Sequence, residues 1–246
     1  MTGQYRLLAL DMDGTLLNDE QIITPETVKW IHKAVEAGIY VCLSTGRAFK
    51  NAYPYAQELG LSTPMITVNG SEVWRRPNEL YRRSLMDPQA VGAMHALAVE
   101  HKVWFWAYAV EGLFREDNWD GNLEGREWLK FGYYTEDDEI RHRILLQLQD
   151  MGGLEITNSS PHNLEINPGG VNKATGISEV CKLLGLTMDQ VVAVGDSLND
   201  LAAIQAAGLG VAMGNAQETV KQEADAVVAG NNEDGIAEVI REYILV

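Results

Sequence analysis

The sequence has few of the features that mark secreted, membrane-bound or zinc-binding proteins. Only two of its 246 residues are cysteines, and Cys42 and Cys181 both lie in apolar patterns. This favours reduced core thiols, although a disulfide stays open as the poorly motivated alternative. No stretch approaches the ~18–20 apolar residues of a membrane span, and polar residues come too early for a secretory signal. The five histidines show no zinc-ligand spacing. These absences predict a cytoplasmic protein with no membrane partner.

Basic residues are also scarce. The chain has 19 Lys and Arg against 35 Asp and Glu, which gives a formal net charge of −16. Such a field repels nucleic acid and anionic membranes, and no Lys/Arg cluster offsets it, so neither is expected as a partner. The same field opposes anionic substrates. An anion site in this chain therefore needs a cation or a local concentration of positive charge.

Strands and helices alternate from residue 5 to about residue 76 and again from Lys173 onward. Short apolar runs at residues 7–10, 39–43 and 65–68 predict buried strands, and helical patterns separate them. This βαβαβ order predicts an α/β fold with a doubly wound, mostly parallel, Rossmann-like sheet. Residues 1–82 and 168–246 are therefore expected to form one core domain.

The segment 83–167 has a different composition and pattern. Asp87 and Pro88 open one predicted helix, a second follows Thr135, and strands are expected at residues 103–110, 154–157 and 164–166. Two helices among several strands predict an α+β domain inserted into the core domain. Its aromatic residues are interpreted first as core and only second as substrate contacts. The candidates for such contacts are Trp104, Trp106, Trp119 and Trp128, with His162 and Glu165 weaker still.

Polar motifs directly follow the predicted strands of the core domain. Asp11 and Asp13 follow the first strand, residues 44–47 follow the second, and residues 195–200 follow the strand at 191–194. Because ligands of a doubly wound sheet bind beyond the carboxyl ends of its strands, we expect these motifs to converge on one site. Two carboxylates one residue apart suit metal-assisted attack on an electrophile, since one can attack while the other handles the proton.

The order of these motifs resembles the four-motif pattern of the haloacid dehalogenase (HAD) superfamily. Asp-x-Asp-Gly-Thr comes first, then Ser/Thr at a strand end, then Lys, then Gly-Asp-x-x-x-Asp, across roughly 160 residues of the two core halves. Further details resemble the Cof-type subgroup, namely Thr45-Gly46-Arg47, Asn69-Gly70, Leu164-Glu165-Ile166 and Val211-Ala212-Met213-Gly214-Asn215-Ala216. The resemblance implies that the insert 83–167 is a C2-type cap.

The resemblance also implies a role for each motif residue. Asp11 would be the nucleophile that forms an aspartyl-phosphate, and Asp13 would protonate the leaving oxygen and then deprotonate the hydrolytic water. Lys173 would place a compact positive charge beside nucleophile and phosphate. The implied phosphate-binding residues are Thr45, Gly46, Arg47, Asn69, Lys173 and Asn199. The implied Mg²⁺ ligands are Asp11, Asp13 through its backbone carbonyl, Asp196 and, in an outer position, Asp200.

Some of these residues also have plainer interpretations. Alone, Lys173 would be a solvated lysine at a helix start, and only its place in the motif order favours catalysis. Arg47 could equally contact phosphate or pair with surface acids. Asn69 with Gly70 is a turn first and a site residue second. Asn199 and Asp200 could cap the next helix, a role that can coexist with ligation.

The sequence thus predicts an enzyme, a Mg²⁺-dependent phosphoric monoester hydrolase for a small phosphorylated metabolite, with a sugar phosphate as one candidate. A phosphomutase and a non-catalytic phosphate-sensing protein are the alternatives. Dehalogenase chemistry is disfavoured because it does not call for the second acid, Asp13. We further expect a mobile cap that selects the substrate, and a monomer or small homo-oligomer.

Overall fold

The computed structural model describes residues 4–245, which divide into two compact units. The α/β unit is formed by the chain up to Arg82 and from Lys173 onward, and the inserted unit by Arg83–Asn172. The inserted unit runs past residue 167, the boundary expected from the sequence. The reason is local: Gly169 N donates to Gly153 O over 2.8 Å, and Asn172 Nδ2 donates to Glu155 Oε1 over 2.9 Å.

The helices and strands fall into three groups along the chain. The first part of the α/β unit contains β1 (Leu7–Leu10), α1 (Pro25–Glu36), β2 (Tyr40–Leu43), α2 (Phe49–Glu58), β3 (Met65–Thr67), β4 (Glu72–Arg76) and β5 (Glu79–Arg83). The inserted unit contains α3 (Pro88–His101), β6 (Trp104–Ala109), β7 (Gly112–Arg115), β8 (Trp128–Tyr134), α4 (Asp138–Met151), β9 (Leu154–Thr157) and β10 (Asn163–Pro168). The rest comprises α5 (Lys173–Leu184), β11 (Val191–Gly195), α6 (Leu198–Ala206), β12 (Leu209–Ala212), α7 (Glu218–Glu223), β13 (Ala226–Val227) and α8 (Gly235–Val239), the last continuing as a π-helix at Ile240–Ile244. Among the described residues, no helix combines the length and the apolar character that crossing a membrane requires.

A parallel sheet lies at the centre of the α/β unit. Its strand order is β13-β12-β11-β1-β2, and β1 is paired on both sides, with Leu10 opposite Val194 and Leu43. All four residues of β1 are buried, as an all-apolar strand in a sheet covered on both faces should be. Cys42 and Cys181 are free, buried thiols, as predicted. The predicted α/β class with an inserted α+β unit is confirmed.

The sheet continues beyond β2 in a way that the sequence did not predict. β3 meets the end of β2 through a parallel bridge between Ser44 and Ile66, and then pairs antiparallel with β4 in a three-stranded sheet, β3-β4-β5. The strands β4 and β5 were missed because arginine pairs at residues 75–76 and 82–83 interrupt their apolar pattern.

The inserted unit has an antiparallel sheet of strand order β7-β6-β8-β10-β9. Apolar residues of α3 and α4 share a core with Phe105, Phe131 and Ile166, so both helices cover the same face of this sheet. Of the four tryptophans, Trp128 is buried in the core, as the plainer interpretation expects, whereas Trp104 is 44% exposed.

Candidate active site

Three carboxylates meet at the carboxyl end of the parallel sheet. Asp11 directly follows β1, Asp196 directly follows the neighbouring β11, and Asp200 lies in the first turn of α6. One carboxylate oxygen from each lies within 4.8 Å of the others. Asp11 and Asp200 are buried, so this acidic triad is held below the surface. The convergence expected from the motif order is therefore present for these three residues.

Lys173 is the cation of this cluster. It is the first residue of α5, its side chain is 1% exposed, and its Nζ donates to Asp11 Oδ1 over 2.5 Å and to Asp200 Oδ1 over 2.6 Å. The plain interpretation as a solvated lysine is therefore wrong. A buried ammonium bound by two carboxylates fixes the orientation of both.

The charges in the site do not balance, because one ammonium faces three carboxylates. Burial is the largest influence on Asp11 and raises its pKa well above the usual value; Asp200 and Asp196 add to this, while Lys173 opposes it. Burial also raises the pKa of Asp196, to about 6, with the charge of Asp200 contributing. For Lys173, burial lowers the pKa, but the attraction of Asp11 and Asp200 outweighs it and the net pKa is raised. The site therefore has an excess of negative charge that a further cation would neutralise.

Local hydrogen bonds fix the loop that carries Asp196 and Asp200. Asp200 Oδ2 accepts from the backbone N–H groups of Asp196 and Ser197, at 3.0 and 3.1 Å, and forms a capping box with Ser197 at the start of α6. The carboxylate of Asp196 accepts from Thr15 Oγ1 at 3.2 Å and from Ser197 Oγ at 2.9 Å. Asp200 thus caps the helix, as its plainer interpretation has it, and belongs to the acidic triad as well.

Gly14 is required where β1 turns back towards this loop. Its φ is +74°, and a Cβ at this position would lie 2.7 Å from Asp196 Oδ2. Any other residue would be strained in its backbone and would collide with the carboxylate. The glycine after Asp13 therefore lets the β1 loop approach Asp196 closely.

Asp13 stands apart from the acidic triad. Its side chain is 51% exposed and forms a two-point ion pair with Arg47, whose Nε and Nη2 donate to the two carboxylate oxygens over 2.8 and 2.5 Å. Arg47 Nη2 also donates to Gln21 Oε1. The hydrogen bond to Asp13 is the main reason that the pKa of Arg47 is raised. Of the two interpretations of Arg47, pairing with an acid is the one seen, and its partner is the predicted proton donor.

The remaining predicted phosphate ligands lie in the loops after β2 and β3 and, for Asn199, in the first turn of α6. Thr45 is fully buried, its Oγ1 accepts from Arg47 N over 3.1 Å, and its carbonyl accepts from Asn69 N over 3.0 Å, with Gly46 between Thr45 and Arg47. Asn69 has a φ of +56° in a short 3₁₀ turn, and its Oδ1 accepts from Asn199 Nδ2 over 3.4 Å. The turn predicted at Asn69 is thus present, and it brings Asn69 next to Asn199.

Several residues that support the site carry little or no signal in the sequence. Thr15 and Ser197 hold Asp196, and Gln21 contacts Arg47. The spacing Ser197-x-x-Asp200 is a capping-box signal and could have identified Ser197. Gln21 carries no local signal, because its contact depends on how the loop after β1 folds.

Comparison with known proteins places this geometry in a family. The sequence model of the haloacid dehalogenase-like hydrolase family matches residues 8–150 and 115–240 of this chain. The chain is 48% identical to 5-amino-6-(5-phospho-D-ribitylamino)uracil phosphatase YcsE of Bacillus subtilis, over 98% of this chain and 96% of the relative. It is 29% identical to pyridoxal phosphate phosphatase YbhA of Escherichia coli, over 98% and 99%. Among solved structures, the HAD phosphatase BT1666 of Bacteroides thetaiotaomicron superposes with a TM-score of 0.85 at 26% identity, covering 98% of this chain and 95% of that one.

The chain therefore belongs to the haloacid dehalogenase-like hydrolases, and within them it is a HAD-type phosphatase. This confirms the resemblance found in the motif order and the predicted enzyme class. The alignments with these two relatives cover 98% of this chain, so the similarity includes the inserted unit as well as the α/β unit.

Proposed function

We propose that this protein hydrolyses a small phosphate monoester in a Mg²⁺-dependent reaction, through a phosphoryl group carried on Asp11. The observation that supports this most is the buried cluster of Asp11, Asp196, Asp200 and Lys173 at the carboxyl end of the parallel sheet. A nucleophilic carboxylate needs neighbouring positive charge before an anionic phosphate can approach it. At ~4 Å and an effective dielectric constant of ~20, each pair of like charges costs about 4 kcal/mol.

The residues of the cluster fit Mg²⁺. An all-oxygen set is what this ion prefers, and Asp11, Asp196 and the Asp13 carbonyl would hold it, with Asp200 in an outer position. The excess of two negative charges over Lys173 favours a divalent cation at this place. When bound, Mg²⁺ offsets the repulsion between the phosphate and Asp11 and stabilises the charge that develops on the phosphoryl oxygens.

Different residues of the chain carry out the separate steps of the reaction. A carboxylate oxygen of Asp11 attacks phosphorus, and the bond from phosphorus to the substrate oxygen breaks. Asp13, which enters this step protonated and outside its two-point ion pair with Arg47, gives its proton to that oxygen. Asp13 next takes a proton from water, which attacks the phosphoryl group and frees Asp11 and inorganic phosphate. Lys173 keeps Asp11 oriented throughout, and Arg47 pairs with the Asp13 carboxylate that is left after the first step and takes the proton from water. Thr45, Gly46, Asn69 and Asn199 supply donors for the phosphoryl oxygens.

For the substrate, we propose 5-amino-6-(5-phospho-D-ribitylamino)uracil as the first candidate. The relative named for this activity is 48% identical over nearly the full length of both chains, whereas the pyridoxal phosphate phosphatase is 29% identical. The compound carries its phosphate on a sugar-alcohol chain, close to the sugar phosphate considered from the sequence. We further propose that the inserted unit selects the substrate, that neither nucleic acid nor membrane is a partner, and that the enzyme is a cytoplasmic monomer or small homo-oligomer.

Phosphate release by the purified protein tests this proposal. With Mg²⁺ we expect kcat/KM for the ribitylaminouracil phosphate to exceed that for pyridoxal phosphate by at least ~10-fold, a preference that a few well-placed contacts can supply. EDTA should abolish release of phosphate from both compounds. A phosphomutase would instead need a bisphosphate activator and return an isomeric phosphate. A phosphate-sensing protein would bind phosphate without hydrolysing any ester.

Asp13 and Asp196 lie at separate positions in the site, so we expect substitution of Asp13 to lower kcat and substitution of Asp196 to weaken Mg²⁺ binding. Asp13→Asn removes the proton donor, so kcat should fall by about 10²–10⁴-fold while the metal dependence stays near that of the wild type. Asp196→Asn removes a triad carboxylate, so the Mg²⁺ concentration for half-maximal activity should rise strongly. Titrating activity against Mg²⁺ for both variants separates these effects. An equal loss of metal affinity in Asp13→Asn would make its carboxylate a ligand and the proposed role wrong.

A further inference from the structure

Ser44 is a buried hydroxyl beneath the active site that the mechanism above does not use. It follows β2, is 3% exposed, and its backbone N–H donates to Leu10 O over 2.8 Å. Within residues 4–245, its Oγ has no hydrogen-bond partner. A buried hydroxyl without a partner is costly, and in folded proteins such groups are nearly always satisfied by protein or by an ordered water.

A small internal cavity adjoins this hydroxyl. Ser44 lines it together with Asp11, Lys173 and Asp200, and its other walls are aliphatic. Its volume, measured by where the centre of a water molecule can lie, is about 10 Å³. That is about the room needed for one water. All of the residues that line the cavity are buried, so a water there would be separated from bulk solvent.

The polar groups around the cavity can supply the bonds that a buried water needs. An ammonium has three N–H donors, and Lys173 uses one on Asp11 and one on Asp200. Each carboxylate oxygen can accept two hydrogen bonds, so Asp11 and Asp200 keep acceptor capacity beside their bonds to Lys173. Buried waters typically make about three hydrogen bonds, whereas cavities that stay dry have apolar walls.

We propose that one ordered water occupies this cavity and links the Ser44 hydroxyl to the ion cluster of Lys173, Asp11 and Asp200. Ser44 is then a positioning residue, which acts through the water on the orientation of the nucleophile. Its kinetic role rests on the proposed function, whereas the water itself does not. Groups that do not touch the substrate but hydrogen-bond to active-site side chains and orient them typically contribute 10–100-fold to activity or metal affinity.

Ser44→Ala and Ser44→Thr test the proposal together. Alanine removes the hydroxyl, so we expect kcat to fall about 10-fold with KM nearly unchanged, because substrate contacts stay in place. Threonine keeps the hydroxyl and should restore most of kcat. The matched control is Thr63→Val, which removes a hydroxyl bonded to the Val41 carbonyl of β2, away from this cavity. It should change the melting temperature more than kcat.

High-resolution crystal structures of the wild type and Ser44→Ala give a readout that does not depend on activity. We expect density for a water within hydrogen-bonding distance of Ser44 Oγ in the wild type, and its loss or displacement in Ser44→Ala. An empty cavity in wild-type crystals would refute the proposal that an ordered water binds there. A wild-type water together with unchanged kcat in Ser44→Ala would overturn the positioning role. Failure of the wild type to hydrolyse any phosphate ester would count against the proposed function. The crystal structures would still show whether the cavity holds a water.

Discussion

Replacement of Asp11 by asparagine is expected to lower phosphate release by at least ~10⁴-fold, the scale seen when a covalent nucleophile is removed. The amide has nearly the same shape as the carboxylate, and Lys173 can still donate to its oxygen. The fold should therefore persist. What is lost is the negative oxygen that attacks phosphorus, since a neutral amide is a very weak nucleophile. Purified Asp11→Asn protein, assayed for released phosphate at saturating Mg²⁺, provides the measurement.

A second aspartate in the α/β unit, Asp189, supplies the control for this prediction. Asp189 precedes β11, at the opposite end of the strand from Asp196, and is exposed. Asp189→Asn removes one negative charge from the same unit without touching the acidic triad, so its turnover should match the wild type. If Asp11→Asn kept substantial steady-state hydrolysis while folded, another group would have to be the nucleophile.

The residues of the acidic triad could be predicted from the sequence because local order determines where they lie. Asp11 and Asp196 each directly follow an all-apolar strand, and parallel strands place their carboxyl ends at one edge. Asp200 follows at capping-box spacing from Ser197. Lys173 is different: nothing near it in sequence indicates burial, and only the family resemblance brought it into the site.

Contacts between distant loops could not be predicted. The ion pair of Arg47 with Asp13 joins residues 34 positions apart, and its geometry depends on how the loops after β1 and β2 fold. Strand β8 was missed for a related reason, because Lys130 and Gly132 interrupt its apolar pattern. The structure buries both: Lys130 pairs with Glu165 over 3.2 Å, and Gly132 leaves room for the Trp106 ring. In each case a partner far along the chain decides what the residue does.

Lys173→Met is expected to lower the free energy of unfolding of the metal-free protein by about 3–5 kcal/mol, as breaking a buried ion pair from one side typically does. Methionine keeps most of the side-chain length and fills the same space. The loss is therefore electrostatic, because Asp11, Asp196 and Asp200 are left close together with no cation between them. Hydrolysis should fall as well, since Asp11 loses the group that orients it. Chemical denaturation in EDTA, followed by circular dichroism, measures the stability.

The neighbouring Lys182 gives a matched control on the same helix. Its side chain is 63% exposed and pairs with Glu179 over 2.8 Å, and Glu179 keeps a second partner in Arg82. Loss of this solvent-screened ammonium should cost only about 0–1 kcal/mol. Lys182→Met should therefore leave both stability and turnover near the wild type. Equal destabilisation by the two substitutions would show that the loss in Lys173→Met does not come from the buried charges.

Added Mg²⁺ distinguishes this electrostatic account from a packing defect. A cation that binds the folded state alone stabilises it by mass action, and in Lys173→Met it would also neutralise carboxylates that no longer have an ammonium beside them. Saturating Mg²⁺ should thus recover part of the lost stability in Lys173→Met and raise the stability of this variant more than that of the wild type. A second route to the same recovery is the double variant Lys173→Met/Asp200→Asn, which removes one of the three crowded charges. If neither Mg²⁺ nor the second substitution restored stability, Lys173 would act through packing, and the charge imbalance would not be what selects a divalent cation at this site.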